Sequence, residues 1–122
     1  MSKKIHILIV DDSLSFRKGM RSLLSIQPDM KVVHEAENGQ AALKLLGGHH
    51  VDLVLLDAQM PGIDGVEVTR KIKSLRPEVK VILMTMYPDY RVKAIDAGAD
   101  TFLSKGLPPE NVLEVIRGIV AT

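Results

Sequence analysis

Five short apolar segments recur along the chain, and each is rich in Ile, Val or Leu with little alternation. They are IHILIV at 5–10, KVVHEA at 31–36, VDLVLL at 51–56, VKVILMT at 79–85 and TFLS at 101–104. Strands that are apolar on both faces are typical of a parallel sheet covered on both sides. The pattern therefore predicts five strands of one parallel sheet.

The stretches between these segments repeat their apolar residues at helical spacing, which predicts amphipathic helices. The predicted stripes are Phe16, Met20, Leu23 and Leu24; Ala41, Ala42, Leu45 and Leu46; Val68, Ile72 and Leu75; and Val112, Val115, Ile116, Ile119 and Val120. The segment from Asp89 to Ala97 has only Val92, Ile95 and alanines to pack, so it is predicted to be the weakest and most mobile helix. Strands alternating with helices predict an α/β doubly wound sheet.

Composition and charge narrow the class of protein. The length of 122 residues suits one domain, expected to span 1–122. The absence of cysteine excludes a disulfide framework and thiolate chemistry. A net charge of +1 gives no bias toward nucleic acid or anionic membranes. The longest apolar runs are about six residues, against the roughly 20 that span a bilayer. We therefore expect a soluble cytoplasmic domain that contacts no membrane.

Polar side chains follow four of the predicted strands, at the point where each strand ends. Asp11 and Asp12 follow the first strand, Asp57 the third, Thr85 the fourth and Lys105 the fifth. Each has an ordinary explanation alone: a turn or cap for an acid, strand propensity for Thr, a solvated surface for Lys. Right-handed crossovers, however, place all the loops after parallel strands along one edge. The joint placement favours a common site.

Three carboxylates in one place repel one another, which raises their pKa values and favours a bound cation. Hard oxygen ligands suit Mg²⁺, which keeps several waters and can bridge a phosphoryl group. Lys105 and Thr85 could then hold the remaining phosphoryl oxygens. Asp57 would be free to attack phosphorus as a carboxylate nucleophile, giving an aspartyl phosphate.

These motifs resemble the receiver domain of two-component response regulators over essentially the whole chain. They are the Asp11-Asp12 pair after IHILIV, LLDAQMPGIDG around Asp57, MTM around Thr85 and FLSKG around Lys105. The pattern GADTFLSKGLPPENVLEVIRGI is most similar to receivers attached to LuxR/NarL-type DNA-binding regulators. The resemblance implies a flavodoxin-like, CheY-like fold with strand order 2-1-3-4-5 and five flanking helices.

The resemblance also implies a metal site and a phosphoacceptor. Asp57 would accept a phosphoryl group from the phosphohistidine of a sensor histidine kinase. Asp12, Asp57 and the backbone carbonyl of Gln59 would bind Mg²⁺, with Asp11 helping through water.

A switch is implied as well. Lys105 would pair with the phosphate and Thr85 would hydrogen-bond it, while Phe102 would turn inward and reshape the surface from the fourth strand to the last helix. The domain would be a switch rather than an enzyme, with self-catalysed phosphotransfer and slow hydrolysis as its only chemistry. It would reach DNA only through an output domain absent from this chain. The domain could form a homodimer, through a face that the sequence does not identify. It could be a stand-alone receiver or one excised from a longer protein.

Two other functions fit the residues less well. A phosphatase or mutase with an aspartyl nucleophile usually needs a general acid two residues later, where this chain has Gln59. A flavin-binding module needs a hydroxyl- and Gly-rich loop after the first strand, where Asp11 and Asp12 would repel phosphate. The pair His49-His50 could bind a metal, but no third ligand is near in sequence, so a polar loop is expected.

Overall fold

The computed structural model describes residues 3–121, in which strands and helices alternate. The elements are β1 (Ile5–Val10), α1 (Leu14–Ser25), β2 (Met30–Ala36), α2 (Gly39–Gly48), β3 (Leu53–Asp57), α3 (Gly65–Leu75), β4 (Lys80–Thr85), α4 (Tyr90–Asp96), β5 (Thr101–Ser104) and α5 (Asn111–Val120). The strands form one parallel sheet in the order β2-β1-β3-β4-β5. The predicted fold class and strand order are confirmed.

The sheet separates two apolar cores, because successive side chains of a strand point to opposite faces. In β3, Leu53 and Leu55 pack with residues of α1 and α5. Val54 and Leu56 pack with residues of α2, α3 and α4. All five residues of β3 are buried, including Asp57 at its end. Among residues 3–121, no helix has the length and apolarity needed to cross a membrane.

Some residues of the predicted stripes lie outside these cores. Leu75 is 70% exposed because it ends α3 at the rim of a cavity between α2 and α3. In α4, Val92 and Ile95 are 69% and 50% exposed, and Ala94 is the buried residue. The expectation that Val92 and Ile95 pack is therefore wrong. A seven-residue helix held through an alanine buries little apolar surface, so the mobility of α4 stays a prediction.

Gly65 begins α3 where that helix lies directly against the end of β3. Its N–H donates to the carbonyl oxygen of Ala58 at 2.9 Å. A Cβ at this position would collide with the carbonyl oxygen of Asp57 and the Cα of Ala58. These are backbone atoms, so a larger residue would force the end of the strand to move.

We expect Gly65→Ala to lower the free energy of unfolding by about 2 kcal/mol, the usual scale for forced backbone shifts. Urea denaturation measures this change. Gly19→Ala in α1 is the matched control, because a Cβ there meets nothing within 4 Å. Alanine favours a helix over glycine, so Gly19→Ala should raise stability by about 0.5–1 kcal/mol. Equal effects at both positions would contradict the close approach at Gly65.

Candidate functional site

Asp57 is the last residue of β3, and its side chain is 8% exposed. Its Oδ1 accepts a hydrogen bond from the N–H of Gln59 at 3.2 Å. Burial, and next the charge of Asp11, raise the pKa of Asp57 to about 6, although Lys105 and the Gln59 N–H act in the opposite direction. The carboxylate is therefore held in a place that disfavours its negative charge.

Asp11 lies beside Asp57 in the loop after β1 and is fully buried. Its N–H donates to the carbonyl oxygen of Ala36 at 3.0 Å, and its Oδ1 accepts from the N–H of Ser13 at 2.9 Å. Asp12, the next residue, is exposed. Each of the three aspartates offers an oxygen within 4.8 Å of the others. The structure thus brings together the three acids that the sequence placed at one edge.

Lys105 places its ammonium between two of these acids. Its Nζ lies 2.6 Å from Oδ2 of Asp11 and 3.5 Å from Oδ2 of Asp57. The backbone N–H of Lys105 donates to the carbonyl oxygen of Thr85 at 2.9 Å, which fixes the start of the loop after β5. The side chain is 15% exposed. Lys105 therefore pairs more closely with Asp11 than with Asp57.

Thr85 and Phe102, the predicted switch residues, lie on neighbouring strands. Thr85 ends β4 and is buried, and its Oγ1 accepts from the N–H of Tyr87 at 3.0 Å. Phe102 pairs in register with Leu83. Its half-buried ring packs against the core shared by α2, α3 and α4. Phe102 is therefore anchored on one side, and the other side remains open to solvent.

Two residues at the site were missed by the sequence reasoning. The ring of Phe16 lies under the Lys105 ammonium, 4.3 Å from Nζ to the ring centroid. Nη1 of Arg17 donates to the carbonyl oxygen of Asp11 at 2.5 Å. Phe16 belonged to the predicted stripe of α1, and its ring also shields an ammonium by a cation–π contact. No sequence pattern near Phe16 or Arg17 predicts these contacts, because only the folding of the chain brings α1 next to this edge of the sheet.

The donors at this edge fit Mg²⁺. They are carboxylate oxygens, which hard divalent cations prefer. Three aspartates lie around the ammonium of Lys105, and burial, followed by the charge of Asp11, raises the pKa of Asp57 despite that ammonium. For Gln59, the structure gives a role only to its N–H, in the bond to Asp57. The part of its carbonyl oxygen in metal binding stays a prediction.

The raised pKa predicts how stability depends on pH in metal-free solution. The folded-state pKa of Asp57, about 6, lies above its ordinary value of 3.8. The folded chain therefore binds more protons than the unfolded chain in this window, and stability falls as pH rises through it. We expect a loss on the order of 2 kcal/mol between about pH 4 and pH 7.

Urea denaturation in EDTA at several pH values measures this loss. Other carboxylates titrate in the same range, so the quantity to compare is the difference between the parent and Asp57→Asn. Asparagine removes the titration, and the variant should be the more stable protein near neutral pH. Asp89→Asn, at an exposed aspartate without a capping bond, is the control. A parent–variant difference that does not change with pH would contradict the raised pKa.

Comparison with known proteins identifies the family. Residues 7–117 match the family described as the response regulator receiver domain. The chain belongs to this family. As a receiver domain of a two-component response regulator, it is a signalling switch rather than an enzyme, and it implies a cognate histidine kinase. Its aspartate cluster is typical of the Mg²⁺ site of a receiver.

Curated relatives of this receiver domain include two response regulators of Escherichia coli, UvrY and NarL. It is 41% identical over 117 residues to the response regulator UvrY of Escherichia coli (strain K12), covering 94% of this chain and 54% of UvrY. It is 37% identical over 117 residues to the nitrate/nitrite response regulator protein NarL of the same strain, covering 94% of this chain and 54% of NarL. The receiver domain thus spans about half the length of these curated relatives.

A solved structure agrees with this grouping. It is a two-component response regulator of the LuxR family from Aurantimonas sp. SI85-9A1, with a TM-score of 0.92 and 30% sequence identity. The similarity covers 98% of this chain and 86% of that one. The predicted resemblance to receivers of LuxR/NarL-type regulators is confirmed.

Proposed function

We propose that Asp57 accepts a phosphoryl group from the phosphohistidine of a sensor kinase, in a reaction that requires Mg²⁺. The observation that carries this proposal is the place of Asp57: a carboxylate with 8% of its side chain exposed, beside two aspartates and 3.5 Å from an ammonium. Such a carboxylate is poorly solvated, next to a cation that can take up phosphoryl charge. These are the surroundings of a carboxylate nucleophile in phosphoryl transfer.

In the proposed transfer, an Asp57 oxygen forms a bond to phosphorus while the bond from phosphorus to the donor's imidazole nitrogen breaks. The electron pair of that bond stays with the imidazole. Asp12, Asp57 and the Gln59 carbonyl would hold Mg²⁺, with Asp11 acting through water. When bound, the metal would neutralise charge on the transferring phosphoryl oxygens. Lys105 would hold one of these oxygens as an ion pair.

The switch would begin at Thr85. Its hydroxyl oxygen accepts the Tyr87 N–H, so the hydroxyl proton remains available to donate to a phosphoryl oxygen. A shift of Thr85 toward the phosphate would open space for Phe102 to turn inward. It would also displace α4, which buries little apolar surface. The surface of β4, β5, α4 and α5 would then differ between the two states.

The proposed output is transcription. The LuxR-family structure and NarL are named as response regulators, and a LuxR-family relative from Staphylococcus aureus is named as a DNA-binding response regulator. We therefore propose that residues 1–122 form one receiver domain that meets DNA only through a DNA-binding output domain. Its place of action would be the cytoplasm. A homodimer through the switched surface is a further proposed partner.

Intact mass spectrometry after incubation with acetyl phosphate tests the proposal. With Mg²⁺ we expect one phosphoryl adduct per chain, and with EDTA almost none. Peptide mapping should place the adduct on the peptide that contains Asp57. An adduct on another residue, an equal yield in EDTA, or no adduct with either acetyl phosphate or a phosphorylated kinase would contradict the proposed function.

A further inference from the structure

A second group of metal-ligating side chains lies at the opposite end of β3 from Asp57. It consists of His6, His50 and Asp52, and each offers a ligand atom within 4.8 Å of the others. His6 belongs to β1, whereas His50 and Asp52 belong to the segment that leads into β3. The cluster therefore joins two parts of the chain that are far apart in sequence.

The distances within this cluster suit a small tetrahedral ion. Oδ2 of Asp52 lies 3.3 Å from Nδ1 of His6, and Oδ1 of Asp52 lies 3.0 Å from Nε2 of His50. The two rings meet edge to face, with 5.0 Å between their centroids. Ligand atoms bound about 2.0–2.1 Å from a tetrahedral Zn²⁺ are about 3.3 Å apart. One ligand atom from each of the three residues lies within 4.8 Å of the others, so all three can reach one ion by rotation of their side chains.

The backbone holds two of the ligands in place. The N–H of His6 donates to Oδ2 of Asp52 at 2.8 Å, and the N–H of Asp52 donates to the carbonyl oxygen of His6 at 2.8 Å. The Asp52 carbonyl oxygen accepts from the N–H of Lys80 at 3.0 Å. These bonds position Asp52 without any metal. Ordering the Asp52 carboxylate on metal binding would therefore cost little further entropy.

The chemistry of the ligands favours a transition metal over Mg²⁺. Two imidazoles and one carboxylate, with a fourth position left for water, form a common Zn²⁺ donor set. The side chains of His50, Asp52 and His6 are 68%, 36% and 32% exposed, so an ion can reach them directly. Lys3 and Lys4 line the same opening and oppose a cation, but their flexible stems allow the ammonium groups to stay in water.

We propose that His6, His50 and Asp52 bind one Zn²⁺ ion, which fastens β1 to the segment before β3. Binding to the folded chain alone would stabilise it by mass action. Asp52 immediately precedes β3 and Asp57 ends it, five residues later, which gives a separation of about 16 Å in an extended chain. The proposed zinc site is thus separate from the aspartate cluster, and it does not depend on the proposed phosphotransfer.

Calorimetric titration of the untagged chain with Zn²⁺ tests this site, with Co²⁺ absorption as a second readout. We expect one ion per chain, an affinity unaffected by excess Mg²⁺, and a visible Co²⁺ band typical of nitrogen and oxygen ligands. His50→Gln and His6→Gln should each weaken binding by at least about tenfold. Because His50 is exposed, its replacement should leave the fold intact, as a circular dichroism melt would show.

His49→Gln is the matched control, because His49 neighbours His50 but its ring contacts the ring of His34 at a tilt, with ring centroids 4.2 Å apart. It should leave the affinity unchanged, as should Asp57→Asn, which removes the proposed phosphoacceptor. The proposal is overturned if no ion binds or if His50→Gln has no effect. It is also overturned if His49→Gln or Asp57→Asn weakens binding as much as His50→Gln does.

Discussion

Replacing Asp57 with asparagine will abolish phosphoryl incorporation from acetyl phosphate, a loss of at least about 100-fold in initial rate. The amide has nearly the same shape as the carboxylate but lacks its negative charge, so it cannot attack phosphorus. It would also weaken a metal site that uses the same oxygen. Intact mass at several times in saturating Mg²⁺ measures the rate. Because the substitution removes repulsion from Asp11, loss of folding would not explain the result.

The control for this prediction is Asp89→Asn, at an exposed aspartate just before α4. This variant should incorporate phosphate at the rate of the parent, since Asp89 is not one of the three clustered aspartates. Persistent phosphorylation of Asp57→Asn at the parent rate would show that another residue is the acceptor. Equal loss in both variants would show that the assay reports general damage rather than the nucleophile.

Replacing Lys105 with methionine is expected to lower the free energy of unfolding by about 2–4 kcal/mol in metal-free solution near neutral pH. The Asp11 side chain is fully buried, and its Oδ2 lies 2.6 Å from the Lys105 ammonium. Breaking a buried ion pair from one side leaves an uncompensated charge, which costs about 3–5 kcal/mol. The lower range reflects the 15% exposure of Lys105. Urea denaturation in EDTA measures the change.

Lys80→Met is the control for Lys105→Met. Nζ of Lys80 lies 3.9 Å from Oδ1 of Asp100, with 35% of the lysine side chain exposed. Removing such a pair should cost less than about 1 kcal/mol. Adding Asp11→Asn to Lys105→Met should restore most of the lost stability, because the buried charge is then absent. No recovery in the double variant would mean that Lys105 stabilises the fold mainly through its contact with Phe16.

The sequence predicts the fold well because each segment shows one clear pattern of apolar residues, either a continuous apolar run typical of a buried strand or a repeat at helical spacing. In β3, all five consecutive residues are buried, which is typical of an interior strand of a parallel sheet. The misplaced residues lie at helix ends and in α4. Leu75 keeps the period of its stripe, but it ends α3 at the rim of a cavity. Helical spacing predicts the face of the helix on which a residue lies. It does not predict whether the neighbouring element is long enough to cover that residue.

For the two sites as well, the sequence predicts some features and not others. The positions of Asp11, Asp57 and Lys105 at one edge could be predicted, because parallel strands share an edge for their carboxyl ends. That Lys105 lies nearer Asp11 than Asp57 depends on side-chain geometry, which no spacing reveals.

For the His49-His50 pair, the sequence showed no third ligand nearby. His6 meets His50 only through the pairing of β1 with β3, with 5.0 Å between the ring centroids. Contacts between neighbouring strands depend on how the strands pair, and the residues nearby in sequence do not reveal that pairing.

The ion pair between Lys105 and Asp11 also affects the fraction of molecules that would be active without a phosphoryl group. The Lys105 ammonium lies 2.6 Å from Oδ2 of Asp11. If Lys105 pairs with the phosphoryl group as proposed, a molecule that adopts the active arrangement spontaneously would first have to loosen this contact. Each 1.4 kcal/mol of that loosening lowers the spontaneously active fraction about tenfold. In the proposed switch, a phosphoryl group would have to supply the same free energy before it could shift the population. One buried contact would thus set both the background output of the regulator and the strength of signal needed to exceed it.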